Sequence, residues 1–512
     1  MDTLPKVILK HSRIEVNDYN PGDSSYLEFL FSTFDPIYHM RFPKGVEYNE
    51  KRKVLYLPRG MNIESIKRIF NCEPAIDRMA DPYVLTDQLS IKYLAKDNRQ
   101  LEILKFLIGA DQYMYTQSKS QLAVNSTTGS GKTFVTVAAM CITGSRMILI
   151  TSSINWLNQW KDRILEYTEL NPEQIYMIAG SASINKILTR DPLEYQVFLV
   201  SHATIHSYAE SHKEGWYAVD KLFKYLKCSV KVFDEAHLYF DNMARIDFHS
   251  NVKKTIYLTA TPARSSKEED IIYQEYFKNV PSISLFDENI DPHVNYVSVL
   301  FYSNPTIEEV RNYSQGQFNF DRNIYTKYLI NKPNFLNLVI VIIDWCLRIN
   351  GKILIYIGIN ECISHIRDYI VQNFPFLQNA IGIYNSEISD KDARKQMLMK
   401  KFILSTTKSC GAASDIPGLA ATVVLAEPFK SKVIARQTLG RCRADNTLYI
   451  DCVDLSCYRT RQYYTIKRPI FNQYAKSCKE ILMKDDELQN KASSIIEYNS
   501  KHRLITIPVF NK

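Results

Sequence analysis

The sequence predicts an α/β protein: two parallel-sheet lobes, a small leading α+β domain and a helical basic tail. Three observations predict it. Short apolar runs alternate with helical segments between about residues 93 and 292, the pattern of a parallel sheet. The same alternation recurs between 293 and 455. Outside these stretches the pattern changes, with β-rich runs before residue 92 and helical, basic sequence from 456 to 512.

In the leading segment, 1–92, Lys6–Val16 and Lys53–Leu57 read as β-rich and Asn62–Phe70 as a helix. The polar stretch NCEPAIDRMADP then marks a boundary. The first lobe's strands are the buried runs Gln121–Asn125, Met147–Thr151, Gln196–Val200, Val230–Asp234 and Thr255–Thr259. The second lobe's are Lys352–Ile357, Ala380–Tyr384, Phe402–Thr406, Thr422–Ala426 and Leu448–Val453.

A chain of 512 residues has room for three or four domains of roughly 100–200 residues each. With 46% hydrophobic and 23% charged residues it has an ordinary globular composition. The start, MDTLPKVILKHSRIEV, lacks the layout of a signal peptide, and the apolar run Leu338–Ile343 is stopped by Asp344. These features lead us to expect a soluble, cytoplasmic protein, with no membrane partner. The ten cysteines form no C-x-x-C pair and no zinc-spaced cluster, so reduced thiols are expected. Net charge is +8, and residues 456–512 hold eleven Lys/Arg against five Asp/Glu. Such a concentration suits a polyanionic partner, although a solvated surface would show it too.

The chemistry begins where the run Gln121–Asn125 meets Ser126-Thr127-Thr128-Gly129-Ser130-Gly131-Lys132-Thr133 and a helix follows. Strand, small-residue loop and helix form a phosphate-binding loop, in which backbone N–H groups and the helix N-terminus face the phosphates. Lys132 reaches the outer phosphates of ATP and the Thr133 hydroxyl ligates Mg2+. Ser126 stands where the general pattern has glycine. About one hundred residues on, the run Val230–Phe233 ends in Asp234-Glu235-Ala236-His237. Asp234 is placed to hold Mg2+, and Glu235 to orient and deprotonate the attacking water. His237 is open to two readings, a relay of the nucleotide state or a plain hydrogen bond. Upstream, the Gln100 amide matches the donor and acceptor of adenine, while an exposed helix-start glutamine is the alternative.

With Thr259-Ala260-Thr261-Pro262 and Gln437-Thr438-Leu439-Gly440-Arg441 added, the order of motifs resembles superfamily 2 helicases. The resemblance spans about residues 100–445 and implies two RecA-like lobes, ATP and Mg2+ as cofactors, and nucleic acid as partner. It assigns nucleic-acid contacts to Thr151, Ser152, Gln159, Trp160, Gly180, Thr204, Asn360 and Thr407. It assigns coupling to His237, Thr259 and Thr261, and catalytic roles across the lobes to Gln437 and Arg441. Two departures stand out. The family's Thr, Gly and Asp of the second lobe fall on Thr407, Ala413 and Asp415, so the glycine is lost. The second arginine of the last motif falls on Ala444, with Arg443 one position early and Arg441 at the family position. Arg441 is the expected finger, Asp415, Arg441 and Arg443 are expected at the nucleotide, and whether Arg443 replaces the missing second arginine is left open.

Within the superfamily, the ends of the chain are similar to phage recombination helicases of the UvsW type. The matching stretches are Ile8–Ile14, Phe42–Gly45, Leu57–Met61 and Tyr464–Tyr474. This family resemblance implies remodelling of branched DNA, through an accessory DNA-binding domain at 1–92 and lobes at 93–292 and 293–455. In the extension 456–512, Arg459, Arg461, Lys467 and Arg468 interleave with Tyr458, Tyr463, Tyr464 and Phe471. That mixture suits phosphates and exposed bases, although a helix packed on the second lobe would read alike. The core motifs do not separate DNA from RNA. A monomer is expected.

Overall fold

The computed structural model describes residues 6–35, 38–77, 89–126, 131–152, 154–237, 239–259, 267–285, 294–315, 319–385, 388, 390–407, 409–410, 416–442 and 446–501. It divides into two compact units, Met1–Asp287 and Glu288–Lys512.

The first unit contains a seven-stranded, all-parallel sheet. Its order is Ile175–Ile178, Val197–Ser201, Met147–Thr151, Val230–Phe233, Lys254–Thr259, Gln121–Ser126 and Ser282–Leu285. All five strands expected for this lobe are present, and Ile175–Ile178 and Ser282–Leu285 are added at the edges. Both faces of the sheet are covered, which is why its strands are apolar without alternation. Leu122, Val124, Met147 and Leu149 pack on the side of the helices Asn98–Ile108 and Lys132–Thr143. Ala123, Ile148 and Ile150 belong to the opposite core.

That opposite core is shared with the leading residues. They form a five-stranded mixed sheet ordered Glu47–Asn49, Val54–Pro58, Arg13–Asn17, Lys6–Leu9 and Ala75–Ile76. Its helix Ile63–Phe70 starts where the Asn62 side chain accepts from Glu64 N–H. The Tyr56 ring stacks on Phe248 at 6.2 Å, and Val252 N–H donates to Ser12 Oγ at 3.4 Å. The leading sheet is therefore packed onto the first lobe through a continuous hydrophobic core.

Within this core lies a charge. Lys231, on the strand Val230–Phe233, and Asp247 are both fully buried, with Nζ 2.5 Å from Oδ1. Tyr257 and Tyr276 donate their hydroxyls to Asp247 Oδ2 at 2.6 and 2.8 Å, and Lys231 donates to Ser250 Oγ at 2.6 Å. Burial pulls the Lys231 ammonium below its ordinary range, and Asp247 opposes that shift.

The second unit repeats the parallel architecture. Its sheet is ordered Ile381–Tyr384, Phe402–Ser405, Lys352–Ile357, Leu419–Ala426, Leu448–Asp454, Asn295–Phe301 and Ser477–Leu482. The apolar run Leu338–Ile343 sits inside the core helix Pro333–Leu347. Among the described residues, no single helix is long and apolar enough to cross a membrane.

The basic tail is helical as expected, through Tyr458–Tyr474 and Asp485–Lys501, and it also supplies the edge strand Ser477–Leu482. Here part of the expected basic face is corrected. Lys467 is buried, 4% exposed, and its Nζ lies 2.9 Å from Asp451 Oδ2, because the inward face of its helix packs on the sheet. Tyr464 and Phe471 point the same way, with Phe471 stacked on Tyr296 at 4.1 Å. Arg461 and Tyr458 remain exposed.

Lys231→Met tests the buried pair. It strands the Asp247 carboxylate in an apolar core, which should cost about 3–5 kcal/mol. A clear fall in the urea unfolding midpoint is expected, and an unchanged midpoint would show that the pair is dispensable.

Candidate nucleotide and nucleic-acid site

Four adjacent parallel strands of the first lobe, Met147–Thr151, Val230–Phe233, Lys254–Thr259 and Gln121–Ser126, end at one edge of their sheet. Parallel pairing carries every motif on those ends to the same edge. Ser126 is the last residue of its strand and Lys132 the first of its helix. Thr127, Thr128, Gly129 and Ser130, between them, lie outside the described residues. Lys132 donates from Nζ to Ser126 O at 2.8 Å. Burial lowers its ammonium, and the charges of Glu235 and then Asp234 raise it.

Gly131 has φ +87°, the left-handed region that favours glycine, and a Cβ there would collide with Gln100 Nε2. The Gln100 amide thus lies directly against the phosphate loop. It is 8% exposed, which removes the reading of a solvated helix-start residue. Asp97 accepts from Gln100 N–H, and Gln100 Oε1 from Lys96 N–H, both at 2.9 Å, so the amide is held in place.

Asp234 follows the last residue of its strand, with its N–H donated to Ile150 O at 3.0 Å. Burial, and next the negative charge of Glu235, push its carboxyl above the usual carboxylate range. Glu235 has φ +49° although it is not glycine, and its N–H donates to Asp234 Oδ1 at 3.1 Å. This strained conformation brings two carboxylates together in a buried place facing one lysine. Such a donor set fits a hard divalent cation, which would relieve the repulsion. Among the described residues no cluster of three His, Cys, Asp or Glu forms a complete metal cage. Mg2+ suits this arrangement, since it is held by few protein oxygens with phosphates and water completing its shell. Thr133 and Asp234 are the residues that would hold it.

His237 is 2% exposed, with Nδ1 2.8 Å from Thr259 Oγ1 and 3.3 Å from Glu235 Oε2. It ties the end of one strand to the end of the next. Thr261 lies outside the described residues.

A model of the family described as "Type III restriction enzyme, res subunit" matches residues 88–264. That match spans Gln100, Lys132, Asp234–His237 and Thr259 of the site. A putative DNA 3'-5' helicase Rad25 of Haloarcula marismortui is 28% identical over 146 residues, which span 28% of this chain and 20% of that relative. The chain thus matches about a fifth of that relative's length. Among solved structures, Saccharomyces cerevisiae Dbp5 bound to RNA and ADP BeF3 is 12% identical, with a TM-score of 0.50 over 79% of this chain and 94% of that one. A fragment of a putative HsdR subunit of a type I restriction enzyme from Vibrio vulnificus is 14% identical, with a TM-score of 0.50 over 89% of this chain and 78% of that one.

The first lobe brings several expected nucleic-acid residues together. Gly180 N–H donates to Thr204 Oγ1 at 3.4 Å, and Ser201 Oγ lies 2.9 Å from that same oxygen. A Cβ at Gly180 would meet nothing within 4 Å. Thr151 is buried and accepts from Ser152 N–H, leaving Ser152 and Gln159 half-buried. Trp160 is corrected: it is 4% exposed, and its indole Nε1 donates to Asp234 Oδ2 at 2.8 Å. Its ring belongs to the core because it lies on the inner face of the helix Ile154–Tyr167.

In the second unit, Thr407 donates to both oxygens of Glu427, a carboxylate the sequence did not single out. Asn360 opens the helix Asn360–Asn373. Arg441 is 6% exposed, in the turn after the helix Lys432–Leu439 that carries Gln437. Asp415 and Arg443 lie outside the described residues. In the tail, Arg459 donates to Gln462 Oε1 at 2.7 Å and Arg468 lies 3.7 Å from Glu480.

Lys132→Ala should abolish ATP turnover while leaving oligonucleotide affinity within about twofold, read by phosphate release and by fluorescence anisotropy. Glu235→Gln should retain ATP binding and lose about 10²–10⁴ in turnover, the range for a positioned base. Normal turnover in either variant would remove that residue from the site.

Proposed function

We propose that the chain is an ATP-driven DNA motor that remodels branched DNA in recombination, replication and repair, by junction migration, fork regression and unwinding. The observation that carries the motor is the edge where Gln100, Lys132, Asp234, Glu235, His237 and Thr259 meet within one lobe. Lys132 faces phosphate, Asp234 and Thr133 hold Mg2+, and Glu235 activates water. Mg2+ supplies charge neutralisation on the phosphates when bound. His237 and Thr259 relay the nucleotide state. Gln437 and Arg441 complete hydrolysis from the second lobe, with Arg441 as the finger, a role worth about 10³–10⁵ in rate.

Backbone contacts from Ser152, Gln159, Gly180, Thr204, Asn360 and Thr407 let such a motor grip any sequence. The branched substrate is supported by the ends of the chain. In the leading domain the hairpin Ser32–Asp35 and Met40–Pro43 exposes Phe34, Met40 and Phe42, and Tyr38 lies between its strands, 67% exposed. Arg41 lies over Phe29, itself 66% exposed. Exposed rings beside cations suit unpaired bases at a branch point. Arg459, Arg461 and Arg468 add phosphate contacts from the tail.

One panel tests this reading: ATPase stimulation by single-stranded DNA, duplex, four-way junction and RNA, with unwinding followed on each. Junction DNA should stimulate most, and stimulation by RNA above every DNA would replace the reading with an RNA helicase. Tyr38→Ala with Phe42→Ala should lower junction affinity about tenfold or more, given ~1–3 kcal/mol per stacked base, and spare single-strand stimulation. Equal losses on both substrates would take the hairpin out of branch reading.

A further inference from the structure

Two hydrogen bonds bracket the segment that the proposed function assigns to strand contact. On its N-terminal side, Ile150 O accepts from the backbone N–H of Asp234 at 3.0 Å. On its C-terminal side, the indole of Trp160 donates to Asp234 Oδ2 at 2.8 Å. Between them lie Thr151 and Ser152 at the strand end and Gln159 on the following helix.

We propose that Trp160 is a positioning residue that transmits nucleic-acid occupancy of the Thr151–Gln159 segment to the metal-holding carboxylate of Asp234. The inference rests on the proposed nucleic-acid-stimulated ATPase. Indole has one N–H and no acceptor, so it holds Oδ2 of Asp234 while Oδ1 accepts from Glu235 N–H, and the two bonds together set which way the carboxylate faces. Trp160 is locked in the apolar core with Leu157 and Ile164 of its own helix, so it moves only with that helix. A phosphate drawn onto Ser152 and the helix beyond it shifts the helix against the strand Val230–Phe233. The indole then turns the carboxylate with it. The coupling runs through one rigid side chain and requires no rearrangement of the sheet.

Trp160→Phe keeps the ring and deletes the donor. In the full chain it should weaken Mg2+-dependent ADP binding, measured by calorimetry without turnover, by about tenfold, as expected when a hydrogen bond to a charged group is lost. It should also bring the single-strand-stimulated ATPase down toward the unstimulated rate. A second variant covers the case where Trp160→Phe fails to fold. Replacing Trp156, Trp216 and Trp345 with phenylalanine leaves Trp160 as the sole emitter of the four tryptophans. Its emission should then shift on adding a thymidine oligonucleotide in the absence of nucleotide. Wild-type Mg2+ dependence and wild-type stimulation in a folded Trp160→Phe, or an unchanged emission in the single-tryptophan chain, overturns the proposal. If no nucleic acid stimulates the unaltered protein, the motor reading itself fails.

Discussion

The first lobe's chemistry depends on one constraint: four neighbouring strands run parallel, so their C-terminal residues come to one edge. Ser126, Thr151, Asp234 and Thr259 are far apart in the chain, yet register pairs Thr259 with Asn125, and Phe233 with both Ile150 and Tyr257. The sheet can carry such polar ends only because the strand bodies are apolar on both faces. Lys231, a fully buried charge within a strand, is paired with Asp247 rather than replaced by an apolar side chain. A pair of this kind is weak evidence for stability and better evidence for specificity. Two tyrosine hydroxyls and a serine fix its geometry, and it sits three residues before Asp234 on the same strand.

Polar groups at that edge are linked by hydrogen bonds that skip the sequence. Thr259 bonds His237, Trp160 bonds Asp234, and Gln100 lies on Gly131. Each connects a helix or loop to the end of a different strand. The positive φ of Glu235 belongs to the same design, since a relaxed residue there would not direct its carboxylate beside that of Asp234.

Much of this was legible in sequence because it follows from strong local patterns. All ten expected strands are apolar runs, and all ten are present within a residue or three of the expected bounds. The strands that escaped notice in the second lobe are of another kind. Ser477–Leu482 is an edge strand with a polar, exposed sequence, and Asn295–Phe301 has a serine at its centre. Neither shows a continuous apolar run, and their pairing is set by distant partners. Of the candidate site, residue types and spacing located the carboxylates, the lysine and the glutamine. They did not show direction. The resemblance assigns Trp160 to nucleic acid, and the tail that holds Lys467 suits a nucleic-acid face or a packed helix alike, yet helical phase points both side chains inward. Lys231 falls within a run expected to be buried, and nothing in the sequence pairs it with Asp247, sixteen residues on, which the fold brings to it.

The shared core between the leading sheet and the first lobe bears on how a branch would be held. His11 N–H donates to Asn251 Oδ1 at 2.9 Å, Asn279 N–H to Gly60 O at 2.9 Å, and Phe34 N–H to Glu268 Oε2 at 3.0 Å. Gly60 is pressed so closely on Tyr276 that a Cβ would strike the Tyr276 carbonyl oxygen, and Tyr276 in turn donates to Asp247. The leading domain is therefore braced against the same buried pair that anchors the strand of Asp234. A flexibly tethered accessory domain would add affinity alone, through a raised local concentration. A braced one also keeps a fixed distance and angle between the exposed hairpin and the ATP lobe. On the proposed reading, displacement of the strand through the lobes then works against a stationary hairpin. A branch point moves only when something fixed resists the strand, and in this unit that fixity comes from the packing of the leading sheet.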